Sequence, residues 1–581
     1  MGCINLMEEE KIEKLQNHYK TLIERFGLYS MGIMILFLPY SIYNLVGYSS
    51  TFFLGIEFVL SFVGFIFIFL ASRRGEYGNR DPKKIIMFSV VSVLIISFLT
   101  FLVGMSVNFP ITDELAIEML SAKSLLLGHD PYGISFSVNA LKSLGVPASF
   151  FTPTLTGGYI TSLQYPPLSF LVMVPFVIFA IKPEVLLLLF SVFLLSIVPF
   201  SFIKNKMDYA APLATAIAIF NINFILFSFD GITDVIWATF MGISILFIDR
   251  KYLPGIFYGI ALSFKQIPLI VFPFLFIFIW KTYGFRRAII FSIVTLATFL
   301  IFNLPFILMN PAAYMTSVVG PEFSPLLGIG FGISQLSFLG IIPYAEPNFF
   351  ASLMISAWLL SIIYYYYSFD RNKYTMTAFP ILIFLFNYRL LENYIIFWPV
   401  LSLIFVPPLF KEKYFSVESS QTKKIESGEF LLSLKRIIQK RKRILTVLLV
   451  AFIVVTPFLV LIHDEMSYKN NLIIKDVEPV SFNSSYVTSI NVSVYYSGSQ
   501  MNLPLYFRIL EGGILYSPNG FVWNTSGDPL ISHNQTKTFT LFTHQPSQFL
   551  TLNNNYIIEA YNGYLLSWLD VKWNTSQVFA Y

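Results

Sequence analysis

The stretch "KRIIQKRKRILTVLLVAFIVVTPFLVLIHDE", Lys435 to Glu465, joins a dense basic block to an apolar run near 444–462 that carries no charge. A helix over such a run reaches across roughly 30 Å of hydrocarbon, and basic residues collect on the cytoplasmic side. The chain that follows, from about His463 to Tyr581, is therefore expected outside. That tail holds every Asn-X-Ser/Thr sequon of the sequence, at Asn483, Asn491, Asn524, Asn534 and Asn574. These are candidate glycosylation sites, and their confinement to one tail agrees with the charge argument.

The rest of the chain repeats the apolar pattern. Of 581 residues, 56% are hydrophobic and only 12% charged, and the mean hydropathy is +0.68. So little polar surface cannot coat a soluble globule of that size. The expected fold class is an all-α polytopic membrane protein with about 12 transmembrane helices, followed by a C-terminal extracytoplasmic β-sandwich. The formal net charge of +5 gives no nucleic-acid signal, because the basic residues sit in short loops. A single cysteine, Cys3, excludes an internal disulfide and a cysteine-based metal cluster. "MGCINL" lacks the Ser or Thr of a myristoylation signal, so neither a lipid anchor nor a signal peptide is expected.

Charge sets the order of segments. A cytoplasmic N-terminal segment covers 1–26, and spans are expected near 27–47, 51–71 and 85–107. The loop "SRRGEYGNRDPKK" (72–84) is basic and so cytoplasmic, which places the next loop outside. The transmembrane domain covers 27–410, with outer loops at 108–163 and 309–348. A basic cytoplasmic loop (411–443), the last helix (444–462) and the β-rich domain (463–581) complete the chain. Basic residues flank 253–280 on both sides, and Lys265 and Pro268 fall in its middle. It reads as a pair of short helices with both ends cytoplasmic. Between Tyr165 and "KNKMD" (204–208) lie two apolar segments where the charges permit one crossing, so one of the two does not span. In the tail, "SYVTSINVSVYYSG" and "KTFTLFTHQ" show the alternation of short strands.

The first outer loop opens with "ITDELAIEMLSAKSLLLGHDPYG", Ile111 to Gly133. Thr112 can cap a helix whose first residues are Asp113 and Glu114, where the helix dipole favours acids by roughly 0.3–1 kcal/mol. Leu115, Met119, Ala122 and Leu126 form an apolar stripe, which lays this helix on the membrane surface. A carboxylate at that height can also take a proton from an acceptor hydroxyl while a lipid-linked leaving group stays in the bilayer. The leaving phosphate needs a cation, for which Lys265, Arg389, Lys123 and His129 are candidates. Arg389 and Glu392 are three residues apart and are read as one helical face. Asp230 and Asp234 are candidate oxygen ligands for a divalent cation, or helix-end residues in a short turn.

The loop resembles the first outer loop of GT-C glycosyltransferases, in which acids follow a span and a "G-x-D/N-P-Y" element follows them. "QYPPLSFLVMVPF" (164–176), "FDGITDVIWATF" and "LPGIFYGIALSFKQIPLIVFPFLF" resemble later elements of the same family, in the same order. The similarity covers about 85–410. It implies a mannosyltransferase-like, inverting membrane enzyme that uses a polyprenyl-phosphate sugar, with or without a divalent metal. It carries the base role to Asp113, with Glu114 as assistant or alternative. Tyr132 and Tyr165 would shape the cavity, and Lys265 falls on a family lysine. Two extra spans before the usual first helix depart from the family. The late outer loop also lacks an Arg-and-His motif, for which "NYRLLENYIIFWP", with Arg389 and Glu392, is the nearest substitute.

The expected function is transfer of a mannose- or glucose-type hexose from a polyprenyl phosphate to a glycan, lipid or protein acceptor at the outer face of the cell membrane. The expected partners are that donor, the acceptor and membrane lipid, without nucleic acid. A transporter or flippase for a lipid-linked or anionic substrate is the alternative, with Asp230, Asp234, Lys265, Arg389 and Glu392 lining its path. An inactive member whose β-rich tail does the work is a third.

Overall fold

The computed structural model describes residues 18–36, 51–72, 93, 111–147, 150–219, 227–320, 326–328, 332–334, 347–408, 446–463, 471–483, 486–511, 520–563 and 565–573. The expected span near 85–107, the basic loop 411–443, Cys3 and Asn574 lie wholly or almost wholly outside them. So does most of the loop 309–348 beyond Gly320.

The principal helices are α1 (18–36), α2 (Thr51–Ser72), α3 (Asp113–Leu126), α4 (Leu168–Leu171), α5 (Val174–Phe179) and α6 (Glu184–Lys204). They continue with α7 (Ala211–Ile219), α8 (Asp234–Leu246), α9 (Leu253–Phe264), α10 (Phe272–Tyr283) and α11 (Phe285–Met309). The last are α12 (Pro311–Val318), α13 (Pro347–Tyr367), α14 (Phe379–Leu385), α15 (Phe397–Phe405) and α16 (Thr446–His463).

Four helical segments among the described residues are long and apolar enough to cross a membrane: Glu184–Lys204, Phe285–Met309, Asn348–Tyr367 and Thr446–His463. This corrects the expectation of about 12 spans. Several other apolar helices among the described residues have only 10–17 residues, such as Asp234–Leu246 and Leu253–Phe264. At about 1.5 Å per residue, such helices fall short of a 30 Å crossing. Local chemistry breaks them. Ala180 turns left-handed after α5, Lys265 is extended after α9, and Gly231 takes a positive φ of 75° before α8. Hydropathy averaged over a window does not register these interruptions.

The same geometry assigns the two apolar segments of 166–208. The first is the short broken pair α4 and α5, and the second, α6, is the membrane-length helix. At the far end of α6, Lys204 pairs with Asp249 at 2.8 Å, and Arg287 at the start of α11 donates to the Asp249 carbonyl. One end of the helical region is therefore gathered around Asp249. The other end carries α3 and the break at Lys265.

Helices α9 and α11 pack at close range because Gly255 and Gly259 form a small-residue edge. A Cβ at Gly259 would stand 2.7 Å from the Thr295 carbonyl and from Thr298 Cβ. Larger residues there would hold the backbones apart.

The C-terminal domain is β-rich, as its alternation indicates. Its main sheet is antiparallel, with strand order β1-β2-β7-β5-β4-β9-β10 and β8 beside β2. The strands are β1 (Leu472–Asn483), β2 (Tyr486–Tyr496), β3 (Leu503–Pro504), β4 (Tyr506–Glu511) and β5 (Phe521–Ser526). They continue with β6 (Leu530–Ile531), β7 (Gln535–Phe542), β8 (Leu550–Thr551), β9 (Asn555–Asn562) and β10 (Leu565–Lys572). A two-sheet sandwich is not what forms. The eight strands make one sheet that curls until its end strands face each other, with Ile474 N–H on β1 donating to Ser567 Oγ on β10 at 2.9 Å. Val487, Ile490, Val492, Phe507, Ile509, Leu541 and Ile558 fill its interior.

Candidate functional site

The site forms where α3 begins. Thr112 Oγ1 accepts the Leu115 N–H at 3.2 Å and donates to the Gly231 carbonyl at 2.9 Å, while its own N–H donates to the Asp230 carbonyl. Capping therefore ties α3 to the turn before α8. Gly231 permits the approach: a Cβ there would lie 2.5 Å from Leu115 Cδ2.

The two acids after the cap diverge. Asp113 is 8% exposed; its Oδ1 accepts the Glu114 N–H at 2.9 Å and its Oδ2 the Thr152 N–H at 2.8 Å. Burial pushes its carboxyl above the usual range, and the Thr152 hydrogen bonds and the Arg389 charge hold it back. Arg389 reaches the same Thr152, donating from Nη2 to its Oγ1 at 3.3 Å. Its Nη1 is buried without a hydrogen-bond partner among the described residues.

Glu114 is fully engaged. Lys265 Nζ donates to its two oxygens at 3.0 and 3.1 Å, Thr233 donates to Oε1, and the Tyr165 hydroxyl lies 3.4 Å from Oε2. Lys265 also donates to Asp234 Oδ2 at 2.9 Å and sits 4.7 Å from the centre of the Tyr165 ring. Asp234 is saturated as well, receiving Trp237 Nε1 at 2.6 Å on Oδ1 and Asn393 Nδ2 at 2.5 Å on Oδ2. One turn along α3, Glu118 is wholly buried, with Thr233 at 3.3 Å from Oε1 and no partner for Oε2 among the described residues. Burial and the neighbouring Glu114 push its carboxyl well above the usual range.

Several expectations change here. The stripe of Leu115, Met119, Ala122 and Leu126 does not lay α3 on a surface. Leu115 and Ala122 are fully buried, as are Ala116 and Glu118 beside them, so protein surrounds the first turns of the helix. Lys265 is consumed by two carboxylates and leaves no charge for a phosphate. Lys123 and His129 are exposed, and neither enters the cluster. Arg389 and Glu392 do not share a helical face, because α14 ends at Leu385 and Glu392 opens a separate 3-10 turn, Glu392–Tyr394.

Asp230 and Asp234 are not gathered with further ligands among the described residues. Asp234 spends its carboxylate on Lys265, Asn393 and Trp237, and no group of three or more His, Cys, Asp or Glu among the described residues is placed to hold an ion. Burial pushes Asp230 up to about 6.

Tyr165 reaches the cluster, whereas Tyr132 props it. Asp130 caps the short turn Pro131–Gly133, and the Tyr132 hydroxyl donates to the Tyr165 carbonyl at 2.9 Å from a nest of Phe170, Phe306 and Tyr314. Thr152, Thr233, Asn393 and Glu118 escaped the sequence reading. Only Glu118 carried a signal there, as an acid one helical turn after Glu114.

Among the sequons, Asn524 and Asn534 are exposed, the latter in a left-handed turn. Asn491 is half-buried and accepts from Thr540 Oγ1 at 2.7 Å, and Asn483 ends β1. Comparison with known proteins gives no matching family model, no matching curated protein and no matching solved structure. The site is therefore read from its own chemistry.

Proposed function

We propose that this chain is a glycosyltransferase of GT-C-like chemistry, moving a hexose of mannose or glucose type from a polyprenyl phosphate to a glycan, lipid or protein acceptor. The reaction is placed at the outer face of the cell membrane, with the β-rich domain and its sequons on that side. The observation that carries the reading is the meeting of Asp113 and Arg389 at Thr152, whose N–H the first accepts and whose Oγ1 accepts from the second. It puts a carboxylate beside a guanidinium that has a buried, unpartnered donor.

In this mechanism the acceptor oxygen attacks the anomeric carbon as Asp113 takes the hydroxyl proton. The bond from the anomeric carbon to the phosphate oxygen breaks, and its electron pair leaves on the phosphate. Inversion follows from attack opposite the leaving group. Arg389 faces the growing charge, a role for which a planar five-donor cation is suited. Glu114 is the weaker base because Lys265, Thr233 and Tyr165 occupy its oxygens.

The test is transfer of labelled sugar from a panel of polyprenyl-phosphate hexoses in membranes containing the wild-type chain or Asp113→Asn at matched folded levels. Loss of a general base lowers transfer by about 100-fold or more. Equal transfer by both would overturn Asp113 as the base, and no transfer by either would overturn the reading and favour the transporter alternative, with the buried Lys265 cluster as its charged element.

A further inference from the structure

The hairpin that holds Asp113 is gripped on its far side by the β-domain. Thr152 gives its N–H to Asp113, and its carbonyl accepts the Ile160 N–H at 2.9 Å. Pro153 and Thr154 form the next strand segment, bridged to Tyr159 and Leu326 respectively, and the Leu327 N–H donates to the Pro153 carbonyl at 3.2 Å. The neighbouring Gly328 carbonyl accepts Arg508 Nη1 at 2.7 Å. Arg508 belongs to β4 and is itself held by Glu559 of β9, Nε to Oε2 at 2.6 Å, both residues wholly buried.

Three further contacts fix the same hairpin. The Gly563 N–H donates to the Leu155 carbonyl at 2.7 Å. Leu155, Leu327 and Tyr561 share an apolar cluster with Tyr506 and Leu566. Gly157, at a φ of 84°, lies so close to Tyr506 that a Cβ would stand 2.1 Å from its ring.

We propose that the β-domain is a positioning device for Asp113, with Arg508 and Glu559 as positioning residues acting through Gly328, Leu327, Pro153 and Thr152. A tail domain attached only for binding has no need to spend a buried ion pair on a loop carbonyl. Here the pair fixes the backbone whose N–H orients the carboxylate, three residues upstream in the relay. The inference rests on the reading of Asp113 as the base, but the placement of Thr152 is measurable without it.

The experiment uses the full chain in lipid nanodiscs, as wild type, Arg508→Lys and Tyr506→Ala. Lysine keeps a cation for Glu559 but lacks the second donor arm that reaches Gly328. Tyr506 lies outside the domain's own apolar core, so its truncation leaves that core filled. Hydrogen exchange is followed at Thr152 and, as a control for intact folding, at β2 and β7. Sugar transfer is measured on the same samples.

The expected result is exchange at Thr152 faster by about tenfold or more with β2 and β7 protected. Transfer is expected to show kcat lowered by about tenfold at unchanged donor KM. Wild-type exchange at Thr152 in both variants would overturn the proposal, and so would faster exchange with unaltered kcat. If the wild type itself transfers no sugar, the glycosyltransferase reading falls, and the exchange at Thr152 alone decides whether the β-domain holds the hairpin.

Discussion

Two places among the described residues where a cation is buried against carboxylate are built for different ends. At the start of α3, Lys265 is shared between Glu114 and Asp234, with the buried Glu118 one turn away. In the β-domain, Arg508 meets one acid, Glu559, and turns a remaining donor to the carbonyl of Gly328. The first cluster has more acid than base, and its one lysine ties α3, α8 and the end of α9 together. The second is balanced and exports a hydrogen bond to another part of the chain. Excess acid makes a cluster sensitive to its cation and to pH, whereas balance makes a clamp.

Substituting the cation of the acid-rich cluster should break the contrast most severely. Lys265→Met leaves Glu114 and Asp234 buried without their counter-charge, an effect of about 3–5 kcal/mol. Denaturation of the detergent-solubilised chain should show it. A loss below about 1 kcal/mol would mean that water, rather than Lys265, satisfies the two acids.

Gly157→Val probes the clamp by sterics alone. It combines a left-handed φ with a Cβ inside the Tyr506 ring, so the hairpin must part from the β-domain at a cost of about 1–3 kcal/mol. Limited proteolysis across 150–160 should quicken while the β-domain stays resistant. Unchanged cleavage would show that the hairpin is held without Tyr506.

The smallest effect belongs to Glu118 and concerns pH. Its folded carboxyl titrates above the ordinary 4.5, so the unfolded chain releases its proton first. As pH rises above that value the wild type therefore loses stability, by linkage, until the folded pKa is passed. Glu118→Gln removes this dependence. Melting temperatures between pH 4 and 8 should fall less with rising pH in the variant than in the wild type; parallel curves would place an ionised Glu118 in the folded protein.

The sequence disclosed these regions unevenly. Alternation in "SYVTSINVSVYYSG" marks β2 because each strand has one face in the domain's core. Lys265 and Pro268 mark the break between α9 and α10, where the chain is extended at Lys265. Thr112 followed by two acids marks the cap of α3. The partners of those acids were hidden, since Glu114 and Lys265 are 151 residues apart and Asp113 binds a backbone N–H that no side-chain pattern encodes. The number of spans was misread for a related reason. Apolar composition is additive along a window, but the length of a helix is decided by single residues such as Gly231, Ala180 and Lys265.

The curled sheet of the C-terminal domain has a consequence for life in a crowded setting. Strands at the margin of an open sheet present unpaired amides and carbonyls that recruit other chains. Here the two margins, β1 and β10, are turned towards each other and joined through Ser567. The domain's long first strand, Leu472–Asn483, therefore turns its margin towards β10 rather than leaving it open to a neighbouring copy.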